Sequence, residues 1–311
     1  MIAISLDTHR ELYHDWQKAL AFCRTLPDVG PREPVTFHMF WRERRRGVFR
    51  RARPFGRKQA LPVKAFFATQ DLDRCSLVLW SDGDLSGKEW LKPLESALTY
   101  RIYRPEDEVR GTAVEDQPSI YGQQDSRVWR DGDLFRNLIL HNYGGVHVDM
   151  DMVLLRGLGV LLDQEFIYQW EDFDDLYNGA LMHLRKGGDF ARELIEGCLA
   201  IPPSDFAWNR ENYKRAIERG LPITVFPCTW FDTDWVATSD FKPFAKTEDS
   251  ANLFEGAFAW HWHNRWDEPI HEGCKFQLIE ARIDEQLRHL GFSPRLSNRP
   301  DPNPSSVGRT L

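Results

Sequence analysis

The chain has 311 residues, of which 42% are hydrophobic and 28% are charged, so it can bury a full core without disulfides or a structural metal. Charged residues interrupt every apolar run before the roughly 18 residues that a membrane span requires, and the N-terminus has no signal-peptide pattern. Five widely spaced cysteines without a CxxC pair favour a reducing compartment. We therefore expect a soluble, cytoplasmic protein with one large or two smaller domains.

The net charge is −7, yet the segment 42–58 holds nine Arg or Lys residues against one Glu. Such a basic run is typical of contact with nucleic acid, anionic lipid or a phosphorylated substrate. No zinc spacing or second basic stretch accompanies it, which disfavours nucleic acid as a partner. Peripheral membrane contact through residues 42–58 and an ordinary solvated loop both remain open.

The first third of the chain predicts a β-α-β unit. Residues 8–26 have the apolar spacing of an amphipathic helix, and the prolines and glycine that follow end it. The segments 35–41 and 76–82 predict buried strands, and 61–72 between them predicts a crossover helix. Two strands joined in this way pair in parallel with a right-handed connection.

Ligands of parallel sheets gather at the carboxyl ends of the strands. Trp41 is the last residue of the first predicted strand, and Asp82 is the last residue of the second. Both are candidates for a binding site at that edge. A core position is the alternative for Trp41, since tryptophan side chains are usually buried.

Residues 131–157 are the most informative stretch, because a helix, a tight turn and a strand follow one another there. Asp131 is the predicted N-cap of the helix, and Gly144 and Gly145 provide the positive φ that ends it. Asp133 and Arg136 are three residues apart and therefore lie on the same face of the helix. They can point at one ligand. On a helical wheel, the other side of the helix is an apolar face formed by Leu134, Phe135, Leu138, Ile139 and Tyr143.

The short strand VHV leads into Asp149-Met150-Asp151. In an extended backbone, side chains at i and i+2 project to one side, so Asp149 and Asp151 would converge on one divalent cation. Such an open carboxylate site suits Mg²⁺ or Mn²⁺ with a diphosphate. The alternative is that both residues only form a turn after the strand.

Several of these residues recur together in a known pattern, D-x-x-R-x-x-x-L-x-x-Y-G-G-[VI]-x-x-D-x-D, which runs from Asp133 to Asp151. The pattern resembles the sugar-binding DxD region of the retaining family 32 glycosyltransferases and of the related large clostridial glucosylating toxins. The resemblance is specific over 131–156 and looser over about 35–270. It implies an α/β fold of the GT-A type, a Rossmann-like mixed sheet flanked by helices that binds a nucleotide diphosphosugar.

The resemblance also implies a division of the chain. We expect an N-terminal helical extension over 1–34, a catalytic domain over 35–275, and a C-terminal helix with a disordered tail over 276–311. Within the catalytic domain, residues 35–156 would bind the nucleotide and residues 157–275 the acceptor.

By this resemblance, Trp41 would stack on the base of the donor, with Asp82 also in the donor site. Asp133 and Arg136 would hold sugar hydroxyls and a phosphate. Asp149 and Asp151 would meet the ribose and the metal ion. Asn178, in the segment Asn178-Gly179-Ala180, would line the sugar pocket. The acidic residues before it offer a group for the β-face of the sugar, although we expect at least two of them on the surface: Glu171, Asp172, Asp174 and Asp175.

The family closes its site with a His/Glu-x-x-x-x-Trp stretch, which here reads His261 to Trp266. His261 and Asn264 would face the metal, and the indole N–H of Trp266 would face the leaving phosphate. His263 competes with His261 as the ligand, and Arg265 stands where many relatives have Ser. The stretch is also our candidate lid. The alternative is an aromatic core corner with one hydrogen-bonded histidine.

The resulting hypothesis is a retaining glycosyltransferase that depends on Mn²⁺ or Mg²⁺ and moves a hexose from a nucleotide sugar to a saccharide or other hydroxyl acceptor. UDP-hexose is the preferred donor and GDP-mannose the second, and polysaccharide or glycan synthesis is the expected role. Arg136, Asp133, Asn178 and Trp266 would carry catalysis. Two alternatives are a haloacid-dehalogenase-like phosphatase that uses Asp149 and a non-catalytic sugar-binding protein on a transferase fold.

Overall fold

The computed structural model describes residues 2, 4–43, 54–122, 129–201, 208–238, 241–247 and 255–292. The α-helices are α1 (Arg10–His14), α2 (Trp16–Thr25), α3 (Arg57–Thr69), α4 (Pro105–Glu108), α5 (Pro118–Tyr121), α6 (Trp129–Tyr143), α7 (Asp189–Ala200), α8 (Trp208–Glu218), α9 (Thr229–Ala237) and α10 (Lys275–His289). The strands are β1 (Val35–Trp41), β2 (Cys75–Ser81), β3 (Thr99–Ile102), β4 (Gly145–Val148), β5 (Met152–Leu154), β6 (Phe166–Gln169), β7 (Tyr177–Leu184), β8 (Thr224–Phe226) and β9 (Ala259–His261). Short 3₁₀ helices cover Glu89–Ala97 and Gly159–Leu161.

Within the described residues, seven strands form the main sheet in the order β3-β2-β1-β4-β7-β6-β8, and β5 pairs with β9 in a small second sheet. In the main sheet β7 runs antiparallel to its neighbours, and the other strands are parallel to one another. The carboxyl ends of the parallel strands and the start of β7 therefore meet at one edge. The α/β class, with a mixed sheet flanked by helices, is confirmed.

The predicted β-α-β unit is present. Strands β1 and β2 pair in parallel from Val35 opposite Cys75 to Trp41 opposite Ser81. The helix between them, α3, begins four residues earlier than the sequence predicts. The Gln59 side chain accepts the backbone N–H of Gly56 at 2.9 Å, and this cap fixes the earlier start.

The single helix predicted over 8–26 is wrong, because the structure has two helices there, α1 and α2. Asp15 separates them with an extended backbone, at φ −125° and ψ 99°. Its carboxylate accepts the backbone N–H groups of Gln17 and Lys18, both at 3.1 Å. Asp15 is therefore an N-cap in the middle of an apolar pattern that runs on without interruption.

Helix α6 starts at Trp129, so Asp131 lies in its first turn and is not the predicted N-cap. Asp131 is instead ion-paired with Arg42, which follows β1. Tyr143, predicted on the buried face, is 42% exposed. The rest of that face is buried as predicted, at Leu134, Phe135, Leu138 and Ile139.

Helix α10 packs against α3 through two buried ion pairs. Lys64 Nζ lies 2.9 Å from Asp284 Oδ1, and Arg57 is paired with Glu280. These pairs attach the C-terminal helix firmly to the first β-α-β unit. The domain boundaries expected at 34 and 275 stay predictions, and the predicted disordered tail lies outside the described residues.

Most of the basic segment 42–58 also lies outside the described residues, which leave out 44–53. The basic side chains that are described are used inside the fold. Arg42 and Arg57 form the ion pairs given above, and Lys58 is 4% exposed. Contact of this segment with a membrane stays a prediction. Across the described ranges, no helix is both long and apolar enough to cross a bilayer.

Candidate active site

Four residues expected at the site lie at the same edge of the main sheet. Trp41 ends β1, Asp82 follows β2, Asp149 follows β4, and Asn178 is the second residue of β7. The backbone N–H of Asp149 donates to the Ala180 carbonyl at 2.7 Å, which holds the end of β4 beside β7. The predicted placement of Trp41 and Asp82 at the carboxyl edge is confirmed by the strand pairing.

Asp149 and Asp151 do not lie on an extended strand, so the i, i+2 geometry predicted for them is wrong, and their joint binding of one cation stays a prediction. The strand ends at Val148, and the N–H of Met152 donates to the Asp149 carbonyl at 3.0 Å across a tight turn. The two carboxylates consequently have different partners. Asp149 contacts helix α6, whereas Asp151 contacts the loop after β9.

Asp149 is held by two basic side chains. Arg136 Nη2 donates to both of its carboxylate oxygens at 3.1 Å, and His147 Nε2 lies 2.8 Å from Oδ1. Burial alone would raise the pKa of Asp149, but Arg136 and His147 together hold it below its usual value. Asp133 lies 3.5 Å from Arg136, so the predicted Asp133–Arg136 pair is present.

Asp151 is joined to the stretch 261–266, which the sequence places 110 residues away. The antiparallel pairing of β5 with β9 sets Met152 opposite His261 and so causes this approach. Asp151 Oδ2 accepts the backbone N–H of Asn264 at 2.6 Å and lies 3.2 Å from His261 Nε2. The Trp266 indole N–H donates to Asn264 Oδ1 at 2.9 Å.

His261 lies between two carboxylates, because Asp232 Oδ2 is 3.2 Å from its Nδ1. Burial disfavours the charged imidazole, but Asp151 and Asp232 outweigh it and raise the pKa of His261 to about 10. His263, the competing ligand, contacts Asp232 at 2.9 Å and packs on Trp235 at a centroid distance of 4.1 Å. His261 is thus the histidine next to Asp151, and His263 fits the aromatic corner that we weighed as an alternative.

Among the described residues, one group of three side chains has the spacing of a metal site. Ligand atoms of Asp232, His261 and His263 lie within 4.8 Å of one another. The second arrangement that could hold an ion is Asp151 with His261 Nε2. Both arrangements use His261, but through different ring nitrogens.

The segment around Asn178 contains buried polar atoms without hydrogen-bond partners in the part of the chain that the structure describes. Asn178 Oδ1 accepts the N–H of Ala180 at 2.9 Å, while its Nδ2 and the Tyr168 hydroxyl have no hydrogen-bond partner within the described ranges. A Cβ at Gly179 would lie 2.0 Å from the Tyr213 hydroxyl, so only glycine fits there. The Asn178 amide and the Tyr168 hydroxyl are therefore donors that a polyhydroxylated ligand could satisfy.

Trp41 packs against Trp266, with ring centroids 4.8 Å apart, and is 7% exposed. Its indole Nε1 has no hydrogen-bond partner among the residues that the structure describes. Asp82 accepts the backbone N–H of Glu43 at 2.7 Å. The expected stacking of Trp41 on a base stays a prediction, and it requires more of the ring to be accessible than 7%.

Two members of the acidic loop face solvent and form surface ion pairs. Asp174 lies 2.8 Å from Arg10, and Asp175 lies 2.8 Å from Lys214. Glu171 Oε1 accepts the Trp235 indole N–H at 2.9 Å. Asp174 and Asp175 thus have the surface positions that we expected for at least two of these groups.

The stretch 261–266 is anchored from outside by Lys58, at the start of α3. Its ammonium donates to the carbonyls of Arg265, Trp266 and Glu268 at 2.8, 3.1 and 2.7 Å. The ammonium also lies 3.6 Å from the centroid of the Phe244 ring. Lid movement of 261–266 stays a prediction and would have to proceed around this anchor.

The sequence analysis missed His147, Asp232 and Tyr168. His147 precedes Asp149 by two residues in an alternating strand, and that spacing could have identified it. Asp232 and Tyr168 belong to no motif, and tertiary packing alone brings them to the site.

Residues 75–168 match the family described as the glycosyltransferase sugar-binding region containing the DXD motif. This range includes Asp82, Asp133, Arg136, Asp149 and Asp151, and it leaves out the stretch 261–266. A comparison with curated proteins finds no significant match.

Three solved structures illustrate the similar folds. PaToxG glycosyltransferase is 12% identical, with a TM-score of 0.43 over 70% of this chain and 79% of its own. Mouse xyloside xylosyltransferase 1 is 11% identical, with a TM-score of 0.41 over 75% and 98%. The bifunctional glycosyltransferase WbbM is 13% identical, with a TM-score of 0.44 over 84% and 52%. At these identities and TM-scores the likenesses carry no argument about this chain. The family match agrees with the expected resemblance, because residues 75–168 are similar to the glycosyltransferase sugar-binding region that contains the DXD motif.

Proposed function

We propose that the protein transfers a hexose from a nucleotide diphosphosugar to a hydroxyl acceptor, with retention of anomeric configuration and with a divalent metal ion. The observation that carries the proposal is the junction at Asp151. There the DXD turn of the matched family region meets His261 and Asn264, which lie outside that region and which the resemblance independently assigned to the metal.

The donor set at this junction fits manganese. Asp151 supplies a carboxylate, and the buried Nε2 of His261 lies 3.2 Å from it and would exchange its proton for the ion. Mg²⁺ prefers all-oxygen ligands, whereas Mn²⁺ also accepts imidazole, so the nitrogen favours Mn²⁺. When bound, the ion would supply positive charge beside the diphosphate. Asn264 supports this site because its backbone N–H donates to Asp151. Its own Oδ1 accepts the Trp266 indole N–H.

Cleavage of the anomeric C–O bond leaves an extra negative charge on the nucleoside diphosphate. Arg136 is a buried cation fixed by Asp149, with its Nε free of any partner in the described part of the chain. The Trp266 N–H can exchange its bond to Asn264 for one to the leaving phosphate. Fixed donors of this kind lower the barrier because they need no reorganisation during the reaction.

The donor would be bound across the carboxyl edge of the sheet. Asn178 Nδ2, the Tyr168 hydroxyl and Asp133 are the groups that we assign to the sugar hydroxyls. Trp41 and Asp82 are assigned to the nucleoside end. UDP-hexose is our first choice and GDP-mannose our second.

Retention requires either attack from the face of departure or a carboxylate nucleophile. Asp174 and Asp175 are ion-paired on the surface, Asp172 is exposed, and the Glu171 carboxylate accepts the Trp235 indole N–H, which argues against all four as nucleophiles. This supports front-face attack, in which the acceptor hydroxyl gives its proton to an oxygen of the departing diphosphate. A saccharide acceptor in polysaccharide or glycan synthesis is our proposal. We also propose a cytoplasmic location, because all five cysteines are buried and unpaired.

The test is a thermal-shift screen of nucleotide sugars with and without Mn²⁺, followed by turnover of the best donor. A donor that binds only the native state raises the melting temperature. We expect a shift that requires Mn²⁺ and is lost in Asp151→Asn, while Asp189→Asn, at an exposed position, keeps it. Shifts without any turnover would indicate a sugar-binding protein. Release of phosphate from an aryl phosphate would indicate the phosphatase.

A further inference from the structure

We propose that Asp232 positions His261 as a metal ligand and thereby gives the site its preference for ions that bind nitrogen. This inference rests on the proposed metal site at Asp151 and His261. It adds a residue from helix α9, which lies outside both the matched family region and the DXD pattern.

Asp232 is fully buried and breaks its own helix. Its backbone has φ −141° and ψ 45° inside α9, which is a non-helical conformation. The break occurs where the carboxylate meets two histidines. Asp232 Oδ2 lies 3.2 Å from His261 Nδ1, and Oδ1 lies 3.1 Å from His263 Nε2. The helix is thus interrupted at Asp232, whose carboxylate contacts the rings of both His261 and His263.

The chemistry of metal-bound histidine explains this arrangement. A histidine that binds a metal through one ring nitrogen usually donates the N–H of the other to a carboxylate, which fixes the tautomer and makes the ligand more basic. Asp232 accepts from Nδ1 of His261, so Nε2 is the nitrogen that remains for the ion. That nitrogen faces Asp151.

The neighbouring histidine keeps the carboxylate in place. His263 stacks on His261 with a centroid distance of 3.9 Å, and it also packs against Trp235 at 4.1 Å. His263 has φ 53° and Asn264 has φ 55°, a left-handed backbone that non-glycine residues seldom adopt. This turn brings the N–H of Asn264 to Asp151 and the ring of His263 to Asp232 at the same time.

The competing arrangement is an ion held directly by Asp232, His261 and His263. It would use Nδ1 of His261 and would leave Asp151 without a role. The two arrangements differ in the number of nitrogen ligands, with one imidazole in ours and two in the other. They also differ in how the loss of the His263 imidazole affects Mn²⁺ binding, because His263 is a ligand only in the competing arrangement.

The test measures Mn²⁺ binding directly by calorimetry in the presence of UDP. We expect Asp232→Asn, which keeps the shape but loses the charge, to weaken Mn²⁺ binding by about 10- to 100-fold. The matched control is Asp234→Asn, the same change at a buried carboxylate two residues on, which bonds Lys275. It should lower the melting temperature while the Mn²⁺ dissociation constant stays unchanged. His263→Phe should retain Mn²⁺ binding.

A second measurement needs no variant. Electron spin-echo modulation of Mn²⁺ bound to the wild-type protein should show one imidazole nitrogen, and two would overturn the proposal. Equal Mn²⁺ affinity in wild type and Asp232→Asn would overturn it as well, while the proposed function stands. If the wild type binds no Mn²⁺ at all, the proposed metal dependence itself fails.

Discussion

The hydrogen bonds of His38, which hold strand β1 against the turn before β4, can be tested directly. His38 lies on β1, and its Nδ1 accepts the Trp80 indole N–H at 3.1 Å. Its Nε2–H therefore donates to the Gly144 carbonyl at 3.0 Å, which ties β1 to the turn that begins the DXD strand. Both ring nitrogens are used by the neutral imidazole. Burial accordingly lowers the pKa of His38 to about 4, from an ordinary value of 6.5.

The difference between these pKa values sets the expected effect on stability. The unfolded chain takes up a proton at His38 near pH 6.5, whereas the folded chain resists it until about pH 4. The contribution of neutral His38 is therefore complete above pH 6.5 and is lost progressively as the pH falls to 4. At 1.36 kcal/mol for each pKa unit, the loss amounts to about 3 kcal/mol.

The assay is urea unfolding of the wild type and of His38→Gln between pH 7.5 and 4.5. Glutamine cannot protonate, so the free energy of unfolding of the variant should fall less steeply as the pH is lowered. At pH 7.5 the variant should be less stable than the wild type. The difference between their free energies of unfolding should narrow by 2 to 3 kcal/mol as the pH falls to 4.5, a range that follows from about 1.36 kcal/mol per pKa unit. His289→Gln, at an exposed position, should follow the wild type. A constant difference in the free energy of unfolding from pH 7.5 to 4.5 would refute the conclusion that His38 is held neutral by the fold.

Three further predictions concern packing and binding. Gly145→Ala should lower the free energy of unfolding by about 2 kcal/mol or more, because φ is +97° and a Cβ would lie 2.1 Å from the Thr36 carbonyl; an unchanged value in urea unfolding would contradict this. Lys64→Met should cost about 3–5 kcal/mol because it leaves Asp284 buried without its cation, and adding Asp284→Leu should restore stability. Trp41→Ala should weaken UDP binding by about 1–3 kcal/mol in calorimetry if the ring stacks on the base, and an unaltered affinity would assign Trp41 to the core.

Local patterns predicted the parts of the fold that depend on local physics. The β-branched and aromatic content of 35–41, followed by a helix and a second apolar run, was sufficient for the parallel pair β1 and β2. The Gly144–Gly145 turn was likewise predictable, because both residues have positive φ, at 69° and 97°.

The errors arose where long-range contacts decide the geometry. The turn at Asp149 is held by a hydrogen bond from its N–H to Ala180, 31 residues further along the chain, and no local signal opposed an extended backbone. Asp15 interrupts an apolar stripe that continues on both sides, so the periodicity alone predicted one helix. Asp232 reaches the site only through the fold of α9 against β9, and the sequence around it matches no motif.

The central claim is that Asp151 and Nε2 of His261 bind one divalent ion beside the nucleotide diphosphate. Anomalous diffraction at the manganese edge, from a crystal grown with MnCl₂ and UDP, measures the position of that ion directly. We expect a peak between Asp151 and His261 Nε2, in contact with the diphosphate. A peak between His261 Nδ1 and His263, or no peak near Asp151, would contradict it.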